Sequence, residues 1–308
     1  MIRCLSRAAA LVVVASQLSA AQQARDPRAS VVVSTAWLAD HLKDPDLVLL
    51  HVGEKAEYDA AHLPGARFVT LQDISVSDRT NPNGLVLEVP PVGDLHDRLA
   101  ALGIGDKSRV VVYFGKDWVS PTTRVLFTLD YAGLGAKSAM LEGGMPQWKS
   151  EGREVTTDVP VVTTASLAPL KTRSLVVDAA WVKAHLGKSG VAVVDSRDTV
   201  FYNGTRTGGR PPMEHRTGHI AGAKSVYFGS LFDDKNVLKA PGELRALFAA
   251  AGVQPGDTVV TYCHIGQQAT ATLFAARSLG HPVLLYDASF EDWSRRTELP
   301  VETPARKP

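Results

Sequence analysis

The stretch Asp257-Thr-Val-Val-Thr-Tyr262-Cys263-His-Ile-Gly266-Gln-Gln-Ala-Thr270-Ala-Thr-Leu-Phe-Ala-Ala-Arg277 holds the pattern that decides the fold. A β-branched run leads straight into Cys263, a Gly-containing turn follows, and an Ala-rich helix is predicted from near Ala269. Strand, tight loop and helix make the βα unit of a parallel α/β sheet, where ligands bind at the carboxyl ends of strands. A loop curled around Cys263 would aim its backbone N–H groups inward as a nest, backed by the positive end of the helix dipole. Such surroundings lower a cysteine pKa from about 8.5 to as low as roughly 3.5–7.5, and they also hold an anionic sulfur donor. Gly266 permits the tight curl. A packed, inert cysteine at a plain strand–turn–helix junction fits the same residues, and the stretch alone does not separate the two.

Working outward, the chain repeats itself. Trp37-Leu-Ala-Asp-His41-Leu42 recurs as Trp181-Val-Lys-Ala-His185-Leu186, and the apolar run Leu47–Leu50 recurs as Val191–Val194. Tyr58 matches Tyr202, His62-Leu-Pro-Gly-Ala66 matches His219-Ile-Ala-Gly-Ala223, and Val110-Val-Val-Tyr113 matches Thr258-Val-Val-Thr-Tyr262. A period of about 145–150 residues is too long for a solenoid and marks a duplicated domain. Within each half, amphipathic stretches alternate with β-branched runs, which predicts two α/β domains, each a mostly parallel sheet flanked by helices. Helices are expected over Ser34–Leu42 and Asp178–Leu186, each capped by its first residue, and over Gly242–Ala251, ended by Gly252. The expected organisation is a signal peptide over 1–21, a first domain over 22–155, a linker over 156–172, a second domain over 173–300 and a loose tail over 301–308.

Composition sets the outer bounds. The 308 residues carry 33 Lys+Arg against 32 Asp+Glu, a net charge of +1, so no global field draws in nucleic acid or an anionic membrane. The 45% hydrophobic and 21% charged content is that of ordinary globular domains rather than a disordered chain. Two cysteines exclude a disulfide framework and a Cys-rich zinc module. Arg3 and Arg7, the short apolar run Ala8–Ala15, and small residues at Ser19 and Ala21 read as a cleaved export signal, placing the mature chain in the periplasm or outside the cell. Cleavage would remove Cys4 and leave Cys263 as the single thiol. No P-loop, dinucleotide fingerprint or nucleophile elbow is present. The sequence calls for no cofactor and no metal, since His215 and His219 lack an evident third ligand, and it does not set the oligomeric state.

The motifs together resemble a tandem-domain rhodanese-type sulfurtransferase. Tyr58-x-x-x-His62-Leu-Pro-Gly-Ala66 is similar to the N-terminal signature of that family, and Tyr286-Asp-Ala-Ser-Phe-Glu-Asp-Trp293 to its C-terminal one, with Ala288 where glycine is usual. Val194-Asp-Ser-Arg197 followed by Gly218-His-Ile-x-Gly-Ala223 resembles the opening of a catalytic rhodanese domain. The resemblance implies that Cys263 is the catalytic residue at the head of a six-position active loop, Cys263 to Gln268, whose backbone amides cradle a persulfide. It makes His264, Ile265, Gly266, Gln267, Gln268 and Ala269 the candidate substrate-binding residues. Asp195, Arg197 and Arg216 become candidate supporting groups. Phosphatase relatives have a longer loop ending in arginine; Ala269 stands six residues after Cys263, so phosphatase chemistry is not expected. The first half has Phe114 in place of the nucleophile and is expected to be a non-catalytic partner, with Trp118 a candidate pocket wall.

The resemblance also implies ping-pong transfer of sulfane sulfur from a small sulfur-containing anion to cyanide or a thiol. Thiosulfate is the expected donor, with mercaptopyruvate, a non-turnover carrier role and a redox-sensing thiol as alternatives. The loop residues His264-Ile-Gly-Gln-Gln268 match neither the basic loop usual for thiosulfate enzymes nor the Gly-Ser-Gly type usual for mercaptopyruvate enzymes. His264 is expected to supply partial positive charge depending on pH. Phe201 occupies the position of the family's substrate arginine, so Arg206, Arg210 and Arg216 are the candidates to replace it. His62 and His219, present in both halves, read as turn-pinning residues, and Asp195 with Arg197 as a pair at a strand end.

Overall fold

The computed structural model describes residues 26–303, apart from 82, 118, 211 and 212 and the side chains of 210, 213 and 214. The export signal, Trp118, the Arg210 side chain and residues 304–308 lie outside what is described. The first half runs β1 (Val32–Val33), α1 (Thr35–His41), β2 (Leu47–Val52), α2 (Lys55–Ala60), β3 (Arg67–Val69), α3 (Val92–Ala101), β4 (Arg109–Phe114), α4 (Val119–Tyr131), β5 (Ser138–Leu141) and α5 (Gly144–Ser150). The second half runs β6 (Val176–Val177), α6 (Ala179–His185), β7 (Val191–Asp195), α7 (Thr199–Tyr202), a small hairpin β8 (Gly209–Arg210) and β9 (Met213–Glu214), then β10 (His219–Ile220) and β11 (Lys224–Ser225). It continues through α8 (Pro241–Ala250), β12 (Thr258–Tyr262), α9 (Gln267–Ser278), β13 (Val283–Tyr286), α10 (Ser289–Arg295) and β14 (Val301–Glu302).

Each half builds a five-stranded sheet with every pairing parallel, ordered β1-β5-β4-β2-β3 in the first and β6-β13-β12-β7-β11 in the second. Like elements therefore occupy like places. The central strands are buried almost throughout, as expected where helices cover both faces of a parallel sheet. Local signals act as the sequence suggests: Ser34 Oγ accepts from Trp37 N at 3.1 Å, and Asp178 Oδ1 accepts from Trp181 N at 2.8 Å. The duplicated aromatic residues repeat their contacts as well. His41 stacks on Trp37 and His185 on Trp181; His62 stacks on Tyr58 and His219 on Tyr202. Each of the latter histidines also meets the carbonyl of its tyrosine through Nδ1, which pins the turn.

The halves are joined by α4 and α9, which lie together between the sheets, and one apolar core runs through both. Across that contact Thr123 Oγ1 meets Thr270 Oγ1 at 2.9 Å, and Gln267 Nε2 donates to Ser120 Oγ at 3.1 Å. The extended stretch after Thr156 is tied to the first half: Ala165 N–H donates to Ala100 O, Ala168 N–H to Asp106 Oδ1, and Leu167 and Leu170 pack on the shared core. Two expectations need correction. Helix α9 starts at Gln267 rather than near Ala269, because Gly266 at φ +81° already serves as its cap. Residues 301 and 302, read as loose tail, form β14 against β10, anchored by Trp293 Nε1 and Ala221 N–H, both donating to Pro300 O.

Candidate active site

Cys263 follows the last residue of β12, at the carboxyl end of the second sheet, and is 1% exposed. The chain then curls through Gly266 into α9, and the amides of Ile265, Gly266, Gln268 and Ala269 all hydrogen-bond toward the Cys263 sulfur. This is an anion nest completed by a helix N-terminus. Burial raises the thiol pKa, and the four amides pull it back only in part, so the direction is upward from the ordinary value. The lowered value expected from the nest alone is thereby corrected: the sulfur lies too deep for four N–H dipoles to offset its lost hydration.

The motif near the chain's end braces this loop from behind. Ser289, in a left-handed conformation at φ +55°, turns its hydroxyl so that Oγ accepts from Cys263 N and donates to Tyr286 O. Phe290 N–H and Glu291 N–H donate to the carbonyls of Cys263 and His264. Beneath the loop, Asp195 Oδ2 accepts from Tyr262 Oη at 2.8 Å and is clamped by Arg197 through Nε and Nη2. Arg197 is 1% exposed, donates further to Gly218 O, and lies 4.1 Å from the Phe290 ring centre. Burial opposes its charge, yet the Asp195 carboxylate outweighs burial and raises its pKa. The expected Asp195–Arg197 ion pair thus exists, and the Arg197 guanidinium in it interacts electrostatically with Cys263.

Other candidates fall elsewhere. Burial, Arg197 and His215 bring the His264 pKa down to about 3, so this imidazole is neutral, contrary to the expected partial positive charge. Its ring stands edge-on to Phe201 and 3.4 Å, Nδ1 to Nδ1, from His215, which burial, Arg197 and Arg295 bring down to about 4. The Gln267 side chain is spent on the domain contact to Ser120, leaving Gln268 and Ala269 to act through backbone N–H. Arg216 does not support the site: its guanidinium donates to the carbonyls of Trp293, Ser294, Arg296 and Leu299, closing the end of α10. Arg206 is exposed and lies over Phe201, 5.4 Å from the ring centre. Among the described residues no group of three or more His, Cys, Asp or Glu could hold a metal ion.

The first half supplies the facing wall. A cleft of about 350 Å³ opens between the loop and the segment before α3, lined by Arg79, Asn81, Leu87, His215, Ile265 and Glu291. Arg79 is exposed, and it brings a cation from the first half to the mouth. Behind the cleft, Arg124 of α4 forms a buried ion pair with Asp287 and also donates to Leu87 O, while Val89 N–H donates to Asp287 Oδ2 at 2.9 Å. The Cys263 loop leans on this pair: a side chain at Gly266 would place Cβ 2.6 Å from Asp287 O and from its Oδ1. Glu88 lies half-buried beside it, and desolvation together with Asp287 raises its pKa to about 8 against the pull of Arg124. Asp287 stands in the Tyr286–Trp293 signature, but Arg79, Glu88 and Arg124 were not readable as part of a site, because each lies far in sequence from Cys263 and carries no motif.

Comparison with known proteins decides the lineage. The model of the rhodanese-like domain matches residues 34–151 and again 178–296, which takes in four of the five strands of each parallel sheet. The chain belongs to the rhodanese family. It is 31% identical over 287 residues to a thiosulfate sulfurtransferase of Rattus norvegicus, covering 88% of this chain and 94% of the relative. It is also 30% identical over 285 residues to the sulfur carrier protein TtuD of Thermus thermophilus, covering 88% and 96%. The crystal structure of SseA from Escherichia coli, a 3-mercaptopyruvate sulfotransferase, superposes with a TM-score of 0.72 at 24% identity, over 84% of this chain and 98% of that one. The protein is an enzyme of the rhodanese-type sulfurtransferase class.

Proposed function

We propose that this rhodanese carries sulfane sulfur on Cys263 and takes it from thiosulfate. The Cys263 thiolate attacks the outer sulfur of thiosulfate, a new S–S bond forms, and the bond to the sulfonate sulfur breaks, releasing sulfite with the electron pair. Cyanide or a thiolate then attacks the outer sulfur of the persulfide, removes it and returns the Cys263 thiolate. The observation that carries this proposal is the set of four amides converging on the Cys263 sulfur. The same N–H groups that face a thiolate face the terminal sulfur of a persulfide, and they need no reorganisation between the two half-reactions. Ile265, Gly266, Gln268 and Ala269 thus bind the transferred sulfur through their backbone rather than their side chains. Arg79, in a cleft that Asp78 and Glu291 also line, is the cation offered to a small anionic donor at the mouth.

A carrier role is the second reading, favoured by the depth of Cys263 and by the carrier function named for the Thermus thermophilus relative. Intact mass of the purified chain before and after thiosulfate, beside Cys263→Ser, tests the chemistry. A gain of about 32 Da, absent in the variant and removed by cyanide, is expected. Sulfur that loads but leaves only to a protein partner would favour the carrier, and failure to load at all would refute both. Export also belongs to the proposal, on the strength of residues 1–21; N-terminal sequencing of the chain recovered from a periplasmic fraction tests it.

A further inference from the structure

The first domain carries a hollow where the second carries its buried machinery. Tyr113 and Tyr262 occupy the same place at the ends of β4 and β12, so the register pairs His51 with Asp195 and Gly53 with Arg197. By the same correspondence Gly115 stands for His264, Glu57 for Phe201, and Met145 for Phe290. Two glycines therefore replace the guanidinium and the imidazole that fill the catalytic half. An open pocket of about 460 Å³ occupies this place, lined by His51, Glu57, Gly115, Lys116, Met145 and Lys149 among others.

Its floor has a defined hydrogen-bonding polarity. Leu63 N–H donates to Tyr113 Oη at 3.0 Å, so the hydroxyl proton of Tyr113 goes to His51 Nδ1 at 3.1 Å. His51 is 0% exposed, and burial, then His62, brings its pKa down to about 4, so it is neutral and its proton resides on Nε2. That Nε2–H and Glu57 Oε2 are both buried without a partner among the described residues, and each lies 2.8 Å from the point where a Gly115 Cβ would be. A donor and a carboxylate acceptor thus face one small space. Lys116 and Lys149 stand exposed at its rim, with no ion pair among the described residues.

We propose that this hollow is a second binding site, for a small zwitterion of the amino-acid class. The ligand's ammonium pairs with Glu57, its carboxylate accepts from His51 Nε2–H and faces Lys116 and Lys149, and Met145 packs against its side chain. The site is independent of the sulfur chemistry proposed for Cys263, because Glu57 takes the place where the second domain has Phe201 and reverses the charge preference expected of an anion site.

Isothermal titration of the full chain with L-alanine, alongside propionate and ethylamine, tests the site. Saturable one-site binding is expected for L-alanine and not for either single-pole analogue. Glu57→Gln should weaken it about tenfold, the worth of one charge-assisted hydrogen bond. Gly53→Ala, whose methyl would stand 3.0 Å from His51 Nε2 and 3.1 Å from Glu57 Oε2, should abolish it. The nitrogen resonance of His51 Nε2 should move on binding, while Glu57→Gln keeps wild-type sulfur loading and melting temperature. Absence of saturation with L-alanine would overturn the proposal. So would unchanged affinity in Glu57→Gln, equal affinity for propionate, or binding lost in Cys263→Ser alone.

Discussion

Replacing Arg124 by methionine should loosen the active loop from the far domain. Arg124 and Asp287 are 0% and 1% exposed, and the guanidinium satisfies both Asp287 oxygens and the Leu87 carbonyl. Methionine fills much the same volume but leaves a buried carboxylate whose remaining donor is Val89 N–H. Removing one partner of a buried pair costs about 3–5 kcal/mol, a large share of the roughly 5–15 kcal/mol that holds a typical protein folded. Leu87 O is stranded in both variants, so replacing both, as Arg124→Met with Asp287→Leu, exchanges the stranded charge for one newly unpaired group, Val89 N–H, at about 1–3 kcal/mol. The double variant should therefore be no less stable than Arg124→Met alone, a strongly non-additive cycle. Urea unfolding of the four proteins gives the cycle, and thiosulfate:cyanide turnover shows whether the loop moves. Both variants should lose turnover, since Gly266 leans on Asp287. A cost under 1 kcal/mol for Arg124→Met, or additive losses, would refute the role assigned to this pair.

Further outcomes follow from the same geometry. Gly266→Ala meets both a left-handed backbone at φ +81° and a Cβ 2.6 Å from Asp287 O, so sulfur loading measured by mass should slow about 100-fold through misplaced amides, with the thiol still present. Arg79→Ala should raise KM for thiosulfate several-fold with kcat little changed, and added salt should shrink the difference. Because burial raises the Cys263 pKa, kcat/KM for thiosulfate should climb about tenfold per pH unit from pH 6 to 8 with no plateau in that range. A plateau near pH 6 would show a thiol lowered rather than raised. Glu88 holds its proton up to about pH 8 when folded but only to about 4.5 when unfolded, so its contribution to stability falls as pH rises through that window. Thermal unfolding of Glu88→Gln should show a flatter decline between pH 5 and 8 than the wild type.

The duplicated fold was legible because each repeated motif has a local physical job done twice. Ser34 and Asp178 cap equivalent helices, and Tyr58–His62 and Tyr202–His219 stack at equivalent turns. The nest around Cys263 was legible too, since strand, glycine and helix are consecutive in the chain. Charges and depth were not. His264 looks cationic in a string of letters and becomes neutral only because Phe201, His215 and Arg197 enclose it. Arg216 looks free to bind an anion, yet four carbonyls of a distant helix end claim it. Arg79 and Arg124 meet the loop or its Asp287 brace only through the packing of one half on the other, which no periodicity encodes.

The contact between α4 and α9 pairs like with like. Thr123 and Thr270 are equivalent positions of the two repeats, as are Ser120 and Gln267, and each pair touches. Self-matching contacts of this kind define an isologous interface, the arrangement of a two-fold homodimer. In a true dimer every substitution appears on both sides of the axis. A fused chain escapes that constraint: Arg124 faces Asp287 on one flank, while its equivalent is Ala271 and the equivalent of Asp287, Glu142, is answered by Arg28. Covalent joining has let a symmetric scaffold become lopsided, one side keeping the thiol and the other free to brace it.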